Sequence, residues 1–170
     1  GFAGLLSLGH ALFFGLGAYT SAVVLKELEP SFWLALTVTL GVATVVGTVA
    51  GIIAIRARGV YFALITFGMA EVLAKAVFNT QELGGSDGLM GVPVIKVNFL
   101  FFTVDSSNAA SFFLLVLVIV MALYFALEAL LRTPFGRLVV AIKANEGRIP
   151  FLGFNAQHYK LMAFVLAANV

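Results

Sequence analysis

The sequence predicts an all-α membrane protein: a polytopic bundle of transmembrane helices with four complete spans and the start of a fifth. Three observations carry that expectation. Apolar residues make up 62% of the 170-residue chain and charged ones 11%, where a soluble domain has about 45–50% and about 25%. The mean hydropathy is +1.09. The charges also fall into short stretches between apolar runs long enough to cross a hydrocarbon core, which takes about 20 helical residues. The chain is read as one transmembrane domain over residues 1–170, an internal piece of a longer protein, with 132–160 as a loop inside it. The net charge of +2 gives no reason to expect nucleic acid. With no Cys and two His, neither disulfides nor a metal site is expected.

The first span is Gly1 to Leu25, which carries no formal charge. Its small pairs Ala11/Gly15 and Ala18/Ala22 recur one helical turn apart, the spacing that lets helix backbones approach closely in lipid. His10 is polar within this span. Such a side chain either hydrogen-bonds a neighbouring helix or lines a path for solute. Lys26 to Ser31 forms a turn. The second span, Phe32 to Ile55, opens with Trp33 at an interfacial position and contains a small-residue ridge of Ala43, Gly47 and Gly51, a G-x-x-x-G whose expected role is helix packing.

Arg56 to Gly59 makes a tight basic connection to the third span, Val60 to Phe78. Glu71 and Lys75 lie four residues apart in the order that favours a helical ion pair. Each charge at membrane depth costs about 2.5–3.5 kcal/mol on insertion scales. The pair therefore either lines a translocation path or, the reading preferred here, marks a helix leaving the membrane early. Asn79 to Asn98 is a Gly-rich loop, and Phe99 to Val104 is an apolar stretch too short to span. Ala109 to Leu131 is the fourth span, with Glu128 in reach of Arg132. Arg132 to Lys160 is basic and amphipathic, with Leu138, Ile142 and Ile149 at helical spacing and a helix stop expected at Ile149–Pro150. Leu161 starts the fifth span.

Orientation follows from the loops. Arg56, Arg58 and the five cations Arg132, Arg137, Lys143, Arg148 and Lys160 account for seven of the ten Lys and Arg, in two connections that alternate with acidic ones. Lys- and Arg-rich short loops stay cytoplasmic. Gly1 and residues 132–160 are thus expected on the cytoplasmic side and Gly84 to Gly88 outside.

Enzymatic motifs fail on context. GGSDG (Gly84 to Gly88) matches the letters of a hydrolase elbow but lacks its preceding strand, and its histidine would have to be His10 or His158. GLGAYT (Gly15 to Thr20) is a partial dinucleotide fingerprint inside an apolar helix. No phosphate-binding G-x-x-x-x-G-K-[ST] is present. No catalytic, cofactor-binding or metal-ligating residue is assigned.

Four motifs in order, GFAGLLSLGHALFFGLGAYT, RARGVYFALITFGMAEV, GGSDGLMGVP and TPFGRLVVAIKANEGR, resemble the M-type permease subunit of ABC importers for branched-chain amino acids. The resemblance covers nearly the whole chain. It implies an inner-membrane subunit that pairs with a sister permease, two ATP-binding subunits and an extracytoplasmic binding protein. ATP and Mg would be bound by the partners and no cofactor by this chain. It further implies that Ile142 to Gly153 carries a coupling helix that docks on the ATPase, with Ile142, Lys143, Asn145, Glu146, Arg148 and Gly153 as its residues. His10 and Glu71 are candidates for the translocation path. A urea or short-amide importer is the alternative within the class; a secondary transporter or channel lies outside it.

Overall fold

The computed structural model describes residues 9–28, 31–57, 59–80, 85, 88–93, 96–98, 103–105, 107–145, 147, 149 and 153–170. Six helices account for most of them: α1 (His10–Glu27), α2 (Phe32–Ala54), α3 (Val60–Asn79), α4 (Ala109–Arg132), α5 (Pro134–Ala144) and α6 (Ala156–Ala168). Among the described residues three helices are long and apolar enough to cross a membrane, α2, α3 and α4. Four spans and the start of a fifth are the expectation. The described part of α1 has 18 residues, about 27 Å at 1.5 Å per residue, and runs into Lys26 and Glu27. Helix α6 has 13 residues.

The second and fourth runs form helices where the sequence places them, because a long uncharged apolar run in lipid must satisfy its backbone internally. Asn108 caps α4 by accepting from the Ala110 N–H at 3.1 Å. The stretch before α4 departs from expectation. Strands β1 (Lys96–Asn98) and β2 (Thr103–Asp105) pair antiparallel, Val97 opposite Val104. Alternation of polar and β-branched residues over so short a run outweighs its apolar average. Residues 99–102 lie outside the described set. So do Gly84, Ser86 and Asp87, while Gly85 and Gly88 adopt φ of +52° and +74°, a left-handed backbone that favours glycine.

Short connections make α1 and α2 antiparallel neighbours. Val24, Leu25 and Ala35 close the packing near their turn. The main core lies where α1, α2, α3 and α6 meet: Phe13, Ala50, Ala54, Phe62, Phe164 and Ala168. Phe164 stands edge-on to both Phe13 and Phe62, with ring centroids 5.7 and 6.0 Å away, the geometry favoured by aromatic quadrupoles.

Helix α6 lies antiparallel along α2. Thr44, Gly47 and Gly51 of α2 face Asn169, Ala168 and Leu161 in descending order. A β-carbon at Gly47 would lie 2.9 Å from the Ala168 β-carbon, and one at Gly51 would lie 2.6 Å from Leu161 Cδ1. At Gly47 a β-carbon would have to push the α6 backbone away, whereas at Gly51 it would meet the movable end of Leu161. Helix α1 meets α3 in the same way: Gly9 sits over the backbone of Thr66, whose carbonyl oxygen would be 2.5 Å from an added β-carbon.

Candidate functional site

The segment between α4 and α6 is built around a turn at Thr133–Pro134. Proline disfavours helical backbone in the residue before it, and Thr133 is extended (φ −72°, ψ 165°). Its hydroxyl donates to the Leu130 carbonyl and accepts from the Gly136 N–H, so one side chain ends α4 and caps α5. Pro134 occupies the first turn of α5, where a missing N–H costs nothing. Gly136 packs directly on the backbone of Leu131, and no larger residue fits inside that elbow. Arg132, the last residue of α4, is bound to Glu128 one turn back.

Helix α5 is amphipathic. Gly136, Val139 and Ile142 point inward, and Arg137, Lys143 and Ala144 point out. The helix stops at Ala144 with an extended Asn145, five residues before the expected stop. The competing cause is local: Asn145 and Gly147 are poor helix formers and act before Pro150 does. Ile149 is therefore not on α5 with Ile142. It still packs against Ile142, together with Ala156 and the partly buried Tyr159, because the chain folds back on itself. Tyr159 holds two aromatic partners, Phe135 of α5 at 5.9 Å and Phe154 at 6.0 Å between ring centroids.

The fifth run also starts earlier than expected. Asn155 accepts from the Gln157 N–H at 3.0 Å and caps α6. Lys160, assigned by the sequence to the loop, lies inside α6 and is buried. Arg132 belongs to α4. The connection between α4 and α6 thus shrinks to Thr133, α5 and the residues between Ala144 and Ala156.

The residues proposed from sequence are placed as follows. Lys143, Asn145 and Gly153 are exposed, Gly153 with φ of +79°. Ile142 is 3% exposed and packs inward, so it supports α5 and does not form its outer surface. Glu146 and Arg148 lie outside the described residues. His10 is exposed at the first turn of α1, with its ring edge-on to Phe13. Glu71 and Lys75 are both exposed on α3 and are not paired with each other among the described residues. Glu71 lies about 140° around α3 from Thr66, the residue under Gly9, so His10 and Glu71 are not brought together. Helix α3 continues as one helix past both charges to Asn79.

An apolar cleft of about 510 Å³ opens between the elbow and the α2–α6 pair, lined by residues that include Thr48, Leu130, Phe135, Leu161 and Val165. Thr48 donates to the Thr44 carbonyl at 2.7 Å, so the donor of its one hydroxyl is already spent. Helix α4 packs chiefly on α5 and β2, and α5 joins it to α6. Helix α5 is therefore the mechanical link between the α4 arm and the α1–α2–α3–α6 core. The sequence signals for this link were the Thr133–Pro134 pair and the aromatic trio Phe135, Phe154 and Tyr159. Neither is visible as hydrophobic periodicity.

A fold of apolar spans joined by an amphipathic elbow is common to many transporters, and comparison with known proteins narrows it. Residues 1–170 match the family described as "Branched-chain amino acid transport system / permease component". The chain belongs to this family. Two relatives carry the name high-affinity branched-chain amino acid transport system permease protein LivM, from Escherichia coli (strain K12) and from Salmonella typhimurium (strain LT2). Each is 30% identical over 188 aligned positions, covering 99% of this chain and 44% of the relative. The chain thus spans less than half the length of the curated relatives it matches. No solved structure matches it. The family is one of transport permease components and not of enzymes.

Proposed function

We propose that this chain is part of the permease subunit of an ABC importer for branched-chain amino acids, and that it converts movement of α5 into movement of its spans. The observation that carries the reading is membership of the permease family across the whole chain, and the relatives named for branched-chain amino acids support the solute class. ATP-binding subunits, an extracytoplasmic binding protein and a sister permease complete the importer. ATP and Mg act in the partners.

Helix α5 and the residues that follow it to Gly153 form the docking element, with Lys143, Asn145 and Gly153 exposed and Ile142 anchoring α5 from within; Glu146 and Arg148, outside the described residues, are assigned to the same contact. The membrane is the bacterial inner membrane, with the Gly1 end and this element cytoplasmic. Movement of the ATPase displaces α5. Because α5 is fastened to α4 at the Thr133 elbow and to α6 through Ile142 and Tyr159, the displacement swings α4 relative to the core. The apolar cleft is the space this swing would open and close. His10, a polar group exposed at the first turn of α1, is the residue assigned to the solute path.

The test is uptake by proteoliposomes holding the complete importer. Leu, Ile and Val should accumulate only with ATP and binding protein present. Accumulation without ATP would favour a secondary transporter, and uptake of urea in place of Leu would move the protein to the short-amide importers.

A further inference from the structure

The buried face of α6 is apolar except at one place. Ala156, Lys160, Phe164 and Ala168 recur every four residues along it and are all buried. Ala156 belongs to the cluster with Ile142 and Ile149, and Phe164 and Ala168 belong to the main core with Phe13 and Phe62. Lys160 stands between the two clusters, about 6 Å along the axis from Ala156 and from Phe164. It is 4% exposed, and among the described residues it is the one buried side chain that carries a charge. It is not without a partner, as a buried ammonium requires.

The other contacts of α6 with α2 do little to fix its position along the axis. Ala43, Gly47 and Gly51 repeat every four residues on α2 and are all buried, so a slip of α6 by one turn places a small residue under Ala168 again. The Thr44 hydroxyl reaches Asn169 Oδ1 at 3.2 Å, but its single hydrogen already goes to the Leu40 carbonyl at 2.7 Å, and the contact holds α6 weakly. Lys160 removes this degeneracy. One turn in either direction would carry its ammonium to the place of Ala156, among Ile142 and Ile149, or of Phe164, against Phe13 and Phe62. Both places are apolar, and a buried charge drawn off its partner is destabilising far beyond a displaced methyl group.

We propose that Lys160 sets the register of α6 and keeps it seated on α2 while α5 moves. Fixing register is the best-attested use of a single polar group in an apolar interface. A seated α6 makes the displacement of α5 swing α4, where a free one would slide along α2 and absorb it. Lys160 acts through α6 and is a positioning residue. The inference rests on the importer reading and adds the residue that holds the fixed end of the coupling.

The test uses the full-length protein in the complete transporter, with a spectroscopic pair at Val45 in α2 and Leu166 in α6. ATP binding should leave this separation unchanged when residue 160 is unaltered. With Lys160→Met it should change by a good part of one turn, about 5 Å, and solute moved per ATP hydrolysed should fall about tenfold. Phe164→Leu trims the same face one turn on without touching a charge, and should keep the separation fixed. An unchanged separation or an unchanged transport ratio in Lys160→Met would overturn the proposal. So would an equal change in Phe164→Leu, movement of the pair with Lys160 in place, or failure of the Lys160→Met transporter to assemble, which would make the lysine a support of the fold and not of its register. ATP-dependent uptake by the unmodified transporter is measured alongside. With that uptake intact, a fixed pair in Lys160→Met sinks only the register, whereas missing ATP dependence sinks the importer reading.

Discussion

Gly47 and Gly51 lie one turn apart on α2 and both face α6, yet a methyl group meets different obstacles at the two positions. At Gly47 the obstacle is the Ala168 β-carbon at 2.9 Å, which can retreat only if the α6 backbone does. At Gly51 the nearest atom is Leu161 Cδ1, the end of a side chain that can change rotamer. Overpacking a tight site costs about 1–3 kcal/mol. Gly47→Ala should fall within that range and Gly51→Ala below it, as read from thermal unfolding of the full-length protein in detergent; equal losses would show that α6 is held less rigidly than its packing implies. The Glu128–Arg132 pair is the opposite case. Its side chains are 41% and 79% exposed, and exposed pairs contribute about 0–1 kcal/mol. Glu128→Gln should leave the unfolding midpoint almost unchanged.

At the scale of an element, α5 is an 11-residue helix, too short to persist on propensity alone in water. Its stability comes from the Thr133 cap, the Gly136 contact and the Ile142–Ile149–Ala156 cluster. Loss of an N-cap side chain costs about 0.5–2 kcal/mol, and trimming a buried Ile to Ala about 2–5 kcal/mol. Thr133→Val should loosen the first turn of α5, and Ile142→Ala the whole helix. Hydrogen exchange should therefore quicken over residues 136–139 in the first variant and over 136–145 in the second, while α2 and α6 stay protected. If Ile142→Ala leaves exchange in α5 unchanged, the cluster is not what holds it. Both substitutions act behind the surface proposed to meet the ATPase. Each should reduce ATP-dependent uptake more than it reduces binding of the ATPase to membranes.

For the whole molecule, sidedness decides the mechanism. The elbow, α5 and the start of α6 lie at one end of the bundle, the end that also holds Arg56. An epitope inserted after Ala144 should be reached by antibody only after cells are permeabilised. Labelling of intact cells would place α5 opposite the ATPase and end the coupling scheme. The same asymmetry predicts that α4 is the arm that moves. A spectroscopic probe pair at Leu117 in α4 and Val45 in α2 should change separation on ATP binding, while a pair at Val45 and Leu166 in α6 should not.

The sequence by itself determined the solvent and the long helices. Runs such as Phe32–Ala54 and Ala109–Arg132 have one way to satisfy their backbone in hydrocarbon, so composition and length suffice. It also singled out Gly47 and Gly51 before any partner was known, because small residues at that spacing matter only where another backbone comes close. It did not reveal which helix comes close. Tertiary structure made that α6, and it alone decided that α5 ends at Ala144, that Ile149 returns to Ile142 without sharing a helix, and that Lys160 is inside. The pairing of Lys96–Asn98 with Thr103–Asp105 was likewise invisible to apolar averages. Periodicity reports only a face along one continuous element, whereas caps, reversals and contacts between distant residues are fixed by what the rest of the chain brings against them.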